Sequence, residues 1–76
     1  MYPLNEELEN LIDLFDADLN LIADKYNITR SELNKQFNYI AQVNTISYYI
    51  FDFSNSVITD ECVTLFRSYF PEAKKQ

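Results

Sequence analysis

The sequence predicts an all-α fold, a compact bundle of four to five short helices in one domain that spans residues 1–76. Three observations lead to this prediction. Apolar residues recur at intervals of three and four along most of the chain, which is the period of an amphipathic helix. Residues with good capping side chains precede several of the periodic segments. The chain contains no Gly, and this disfavours the tight turns of β-hairpins.

The first periodic segment lies in a strongly acidic part of the chain. Seven of the twelve acidic residues fall within residues 1–24, which contain no Lys or Arg. Asp16 or Asp18 can cap a new helix, so we expect a break near residues 16–18. Most of the acids lie off the apolar stripe, which has the following members: Leu8, Leu11, Ile12, Phe15, Leu19 and Ile22.

Residues 18–38 carry the clearest functional pattern, two short helices joined by a tight turn. Asn27 tolerates the left-handed conformation that often ends a helix. Residues 29–32 have the form of a capping box, with the Thr29 hydroxyl and the Glu32 carboxylate each available to a free N–H group. Ala23 is small and lets the second helix cross the first closely. The pattern therefore predicts a helix-turn-helix over approximately residues 18–38.

A helix-turn-helix at this position leads to the first functional hypothesis, a small DNA-binding transcriptional regulator of phage or plasmid type. In a major groove, Arg can pair with guanine and Asn with adenine, while Ser and Lys suit phosphates. The second helix presents such side chains on its outer side. The predicted contacts to double-stranded DNA are Thr29, Arg30, Ser31, Asn34, Lys35 and Asn38.

The second half of the chain contains one ambiguous segment and one clear helix. In residues 43–53, β-branched and aromatic residues favour a strand, whereas the apolar spacing is helical, and we expect a helix. Thr59 is expected to cap the last helix, and Pro71 is expected to end it. Residues 72–76 are expected to form a frayed tail.

The composition argues against several kinds of function. The chain has no His and one Cys, so we expect no catalytic site, no metal site and no cofactor. Cys62 lies on an apolar stripe and is expected to be an inert, buried thiol. No apolar run is long enough for a membrane span and no signal peptide is recognisable, so we expect a cytoplasmic protein without membrane contact.

The net charge of −6 supports a second functional hypothesis. A strongly acidic surface accelerates association with a basic partner. The alternative function is therefore that of an acidic inhibitor, anti-defence, immunity-type or DNA-mimic protein, which blocks a basic protein without contacting DNA. The aromatic residues of 48–53 also suit a homodimer interface. The predicted protein-binding residues are Glu6, Glu7, Glu9, Asp13, Asp16, Tyr48 and Tyr49.

Several positions within residues 8–48 follow the pattern of a known family. They are Leu19, Ala23, Ile28, Thr29, Leu33 and Phe37, with Tyr48 further along the chain. With these residues the segment resembles the first helix-turn-helix of AraC-type transcription regulators. The resemblance implies a single-module relative in which Arg30, Ser31, Asn34 and Lys35 face DNA. Gln36 and Gln42 depart from the family pattern, and no second helix-turn-helix is present in the sequence.

Overall fold

Three helices and a three-stranded sheet make up residues 5–76, the part of the chain that this computed structural model describes. The sheet occupies the middle of the chain and its end, so the prediction of an all-α bundle of four to five helices is wrong. The elements in chain order are α1 (Glu6–Lys25), α2 (Arg30–Gln36), β1 (Phe37–Gln42), β2 (Thr45–Ile50), α3 (Ser56–Tyr69) and β3 (Lys74–Lys75).

Helix α1 is continuous, and the break that we expected near residues 16–18 does not occur. The Asn5 side chain caps the helix by accepting the N–H groups of Glu7 and Leu8. The apolar stripe runs through the expected break without interruption, and no Gly or Pro interrupts it. Asp16 and Asp18 bond to side chains of other elements instead of capping a new helix. Across residues 5–76, no helix combines the length and apolarity that crossing a membrane demands.

The turn between α1 and α2 has the conformation that the sequence predicted. Asn27 has φ 55° and lies in the left-handed region, as predicted for the end of a helix. The Thr29 side chain caps α2 by accepting the Glu32 N–H at 3.1 Å. The second half of the capping box differs, because the Glu32 carboxylate accepts the Thr29 hydroxyl, at 3.2 Å, rather than a backbone N–H.

Replacing Asn27 with Ala should lower the free energy of unfolding by about 1 kcal/mol, because a left-handed residue with a Cβ and no local hydrogen-bonding side chain is strained. Asn27→Gly is the matched control and should keep the stability or raise it. Urea unfolding followed by circular dichroism measures both variants. Equal midpoints for the Ala and Gly variants would show that the left-handed geometry carries no cost at this position.

A β-hairpin replaces the helix that we expected over residues 43–53. Strands β1 and β2 are antiparallel, with a register that runs from Phe37↔Ile50 to Gln42↔Thr45. The two-residue turn between them forms without Gly and without a positive φ angle. The helical spacing of this segment is overruled by cross-strand pairing, which suits β-branched and aromatic residues on a half-buried sheet.

The end of the chain joins the sheet. Helix α3 starts one turn earlier than predicted because Asn55 caps it, and Thr59 lies inside the helix with its hydroxyl donating to backbone carbonyls. Strand β3 pairs with β2 in parallel, and the Gln76 N–H donates to the Tyr48 carbonyl at 2.7 Å. Residues 72–76, expected as a frayed tail, therefore include one edge of the sheet.

The core consists mainly of aromatic rings between the helices and one face of the sheet. Phe15 of α1 is 0% exposed and lies at its centre. On the other face of the sheet, Ile40 is 43% exposed. The outer side of α1 is likewise in solvent. Five rings contact Phe15 edge-on: Phe37, Tyr39, Phe66, Tyr69 and Phe70.

Candidate functional site

Arg30, one of the predicted DNA contacts, is bonded to side chains within the chain. Its Nη2 lies 2.9 Å from Asp16 Oδ1 of α1, and its Nη1 lies 3.1 Å from Asn20 Oδ1. Its Nε donates to Asn34 Oδ1 at 2.9 Å. The guanidinium donors are thus directed at the protein, and the Asn34 side chain is part of the same network.

The other predicted DNA contacts do not form one continuous helical face. Helix α2 has seven residues and ends at Gln36, because Phe37 takes up an extended conformation with φ −126° and ψ 135°. Asn38, predicted on the recognition helix, lies on β1, where its Oδ1 accepts the Tyr39 N–H at 2.9 Å. Ser31 and Lys35 remain exposed on α2.

Asp16 connects three elements and is only partly available to a partner. Its Oδ1 accepts both the Arg30 guanidinium and the Tyr39 hydroxyl, the latter at 2.7 Å. Burial and the hydrogen bond to Asp16 raise the pKa of Tyr39 above its usual range. In a similar way, Asp18 accepts the Tyr69 hydroxyl at 2.5 Å, and this bond raises the pKa of Tyr69. Both carboxylates therefore hold the fold together.

Lys25 is the second basic residue that forms an ion pair within the chain. Its Nζ lies 2.5 Å from Glu61 Oε1 and links the end of α1 to α3. The hydrogen bond from Lys25 lowers the pKa of the Glu61 carboxyl. Two of the six Lys and Arg residues are consequently in internal ion pairs, which reduces the positive charge available to a nucleic acid.

Four acids at the start of α1 form a surface that we call the acidic face: Glu6, Glu7, Glu9 and Asp13. All four side chains are exposed, and neither ion pair found within residues 5–76 involves them. Across the same residues, no group of three potential metal ligands comes together. The acidic face therefore carries negative charge that other residues of the described chain do not neutralise.

An exposed apolar series lies on the same helix and was not recognised from the sequence. Leu14 is 57% exposed and Leu21 is 64% exposed, and the exposed Ala17 lies between them. Positions separated by three and four residues share one side of a helix. We call these three residues the outer stripe. The signal in the sequence was a second apolar series, displaced around the helix from the one that forms the core.

The aromatic residues of 48–53 divide between the core and the surface. Tyr48 is 6% exposed and packs against Phe66, so it is unavailable to a partner. Phe51 and Phe53 are 62% and 64% exposed. The Tyr49 ring contacts the Phe51 ring edge-on, with centroids 4.5 Å apart. A homodimer through this segment would have to use the exposed members only.

Cys62 lies on the core side of α3 and is 0% exposed. Burial raises the pKa of its thiol to about 11. A protonated, inaccessible thiol is a poor nucleophile and a poor metal ligand. This is the environment expected of a structural cysteine.

The fold and the exposed groups together define a small acidic α/β protein with one charged helical surface. No family model, no curated protein and no solved structure matches the chain. The resemblance to AraC-type regulators consequently stays a prediction from the sequence.

Proposed function

We propose that this protein is an acidic binding module, which attaches the acidic face of α1 to a basic surface of another protein. One contrast supports the proposal. Within residues 5–76 the carboxylates of the acidic face are exposed and form no ion pair, whereas Arg30, a predicted DNA contact, is paired with Asp16. The charge that is free to act on a partner is therefore mainly negative.

The mechanism of such a module is electrostatic attraction followed by occlusion. A net charge of −6 on a chain of 76 residues creates a field that steers a basic partner toward it. Carboxylates at successive turns of a helix can then occupy the sites that phosphates or acidic substrates would take. A partner with a basic cleft would be blocked in this way, as expected of an inhibitor or a DNA mimic.

DNA binding through α2 is the competing proposal, and its geometric support is weaker. Most of the affinity of a protein for DNA comes from Lys and Arg side chains that neutralise phosphates. On α2, Arg30 is bonded to Asp16, and Lys35 is the other basic residue, which is left to contact a phosphate. Ser31 and Lys35 are nevertheless exposed, so the competing proposal makes a prediction that differs from ours.

Neutralising the acidic face should weaken capture of basic proteins by about fourfold or more, since each of up to four exposed ion pairs contributes roughly 0.2–1 kcal/mol. The variant carries Glu6→Gln, Glu7→Gln, Glu9→Gln and Asp13→Asn. The measurement is capture of proteins from an extract of the source cells, across a series of salt concentrations. Captured proteins should be basic, and their retention should fall as salt rises.

A control variant with the same change in net charge distinguishes the effect of the acidic face from the effect of the total charge. It carries the changes Glu32→Gln, Asp52→Asn, Asp60→Asn and Glu72→Gln, all outside α1, and should keep the capture. Equal loss in both variants would mean that total charge, not the acidic face, governs binding.

Duplex DNA tests the competing proposal directly. Ser31→Ala with Lys35→Ala removes the two exposed predicted DNA contacts of α2 and leaves the Arg30 network intact. Binding of DNA by the intact protein, lost in this double variant, would overturn the acidic-module proposal in favour of a regulator.

A further inference from the structure

The outer stripe gives a more specific description of the partner. Leu14 and Leu21 are large, apolar and more than half exposed, although α1 buries a separate apolar stripe in the core. Exposed apolar residues that are aligned on one side of a helix are typical of a helix–helix contact. We propose that the outer stripe is the docking site for a basic amphipathic helix, an inference that rests on the proposed function and identifies its partner.

The spacing of the outer stripe suits a helix as the occupant. Leu14, Ala17 and Leu21 follow each other at intervals of three and four, as in the seam of a coiled coil. They cover two turns of α1, a length of about 10 Å at 1.5 Å per residue. Because Ala17 is small, a side chain of a second helix can pack between the two Leu side chains.

Charges at both ends of the stripe determine the chemistry of that helix. Continuing the same spacing places Glu7 and Asn10 before Leu14, and places Asp24 after Leu21. All three are exposed. The seam is therefore apolar at its centre and acidic at either end. A complementary helix carries Leu-like residues at its centre, with Lys or Arg on both sides.

A second copy of this chain fits the surface poorly. In a parallel pair of α1 helices, Glu7 would face Glu7 and Asp24 would face Asp24. In an antiparallel pair centred on the stripe, with Leu14 facing Leu21, Asp24 would face Asn10, and Glu7 would lie past the end of the partner's helix at Lys25. Asp13, which lies beside the seam, adds further negative charge in both arrangements. Like charges in contact disfavour the parallel pair, and the antiparallel pair places no basic residue of the seam opposite Asp24. Charge complementarity therefore favours a basic partner over a second copy.

Two synthetic peptides test this inference. Each has 18 residues, the same Leu, Ala, Lys and Arg composition and a fluorescent label. In the first peptide the Leu residues form one seam along the helix, and Lys and Arg residues flank that seam. In the second they are distributed around the helix. Fluorescence anisotropy should show that the intact protein binds the first peptide at least about tenfold more tightly, because only that peptide can bury its Leu side chains together against Leu14 and Leu21.

Variants of the protein locate the binding surface. Leu14→Ser with Leu21→Ser should remove the preference for the first peptide and leave the weak, salt-sensitive binding of both. Val57→Ser is the matched control, because Val57 on α3 is 64% exposed, as is Leu21. This control should keep the preference. Circular dichroism and urea unfolding confirm that all variants remain folded.

The outcomes distinguish this inference from the proposed function. Equal binding of both peptides, still lost when the acidic face is neutralised, overturns the docking of a helix and keeps the acidic module. No binding of either peptide by the intact protein counts against both proposals. A dimer detected by sedimentation and abolished by the two Leu→Ser changes overturns the basic partner in favour of a second copy.

Discussion

Phe15→Ala should bring the protein close to its unfolding transition at room temperature, because it should lower the free energy of unfolding by about 3–5 kcal/mol. Phe15 is 0% exposed and contacts five other rings, so its removal leaves a cavity that several elements line. A domain of this size has a small margin, and the expected loss is comparable to the roughly 5 kcal/mol that such domains possess. Urea unfolding followed by circular dichroism measures the effect.

The neighbouring residue supplies the control for this prediction. Leu14 is 57% exposed, so Leu14→Ala should change the stability by no more than about 0.5 kcal/mol. Truncation to Ala at two adjacent positions of α1 should thus lower the stability by very different amounts. A folded Phe15→Ala protein with near-native stability would mean that the aromatic cluster is not the core.

Asp16→Ala should lower the free energy of unfolding by about 1–3 kcal/mol, because it leaves two polar groups without their partner in a half-buried site. The Arg30 guanidinium and the Tyr39 hydroxyl both bond to Asp16 Oδ1. The ion pair is partly exposed and contributes less than a buried one. Thermal or urea unfolding provides the measurement.

Tyr39→Phe resolves the Asp16 network further. In a double-mutant cycle with Asp16→Ala, the two losses should combine to less than their sum, because each change removes the same hydrogen bond. The pKa of Tyr39 is raised in the folded protein, so its contribution to stability is complete below the unfolded pKa of about 10 and decreases as pH rises above it. Additive losses, or an unchanged alkaline transition in Tyr39→Phe, would exclude coupling through this bond.

The corner at residues 27–29 could be predicted because it is determined locally. An Asn in the left-handed region and a Thr that caps the next helix depend on neighbouring residues. Residues 45–50 could not be assigned in this way, because their apolar positions fit both a helix and a strand. Pairing with β1 decides between them, and that contact is not visible in a local window.

The candidate site shows the same division between local and distant information. The acidic face was predictable, since a run of acids without bases is exposed in almost any fold. The engagement of Arg30 was not, because its partner Asp16 is fourteen residues away on another helix. The outer stripe was overlooked because α1 carries two apolar series, and only the one buried in the core was recognised from the sequence.

Strand β1 forms one edge of the sheet, where exposed backbone groups can recruit strands from other molecules. The Phe51 N–H donates to the Gln36 carbonyl, so alternation directs the N–H groups of Phe37, Tyr39 and Ala41 away from β2. The Phe37 N–H donates to the Leu33 carbonyl, and the Tyr39 N–H donates to the Asn38 side chain. With two of its three outward N–H donors engaged, this edge has few free donors for pairing with a strand of another molecule.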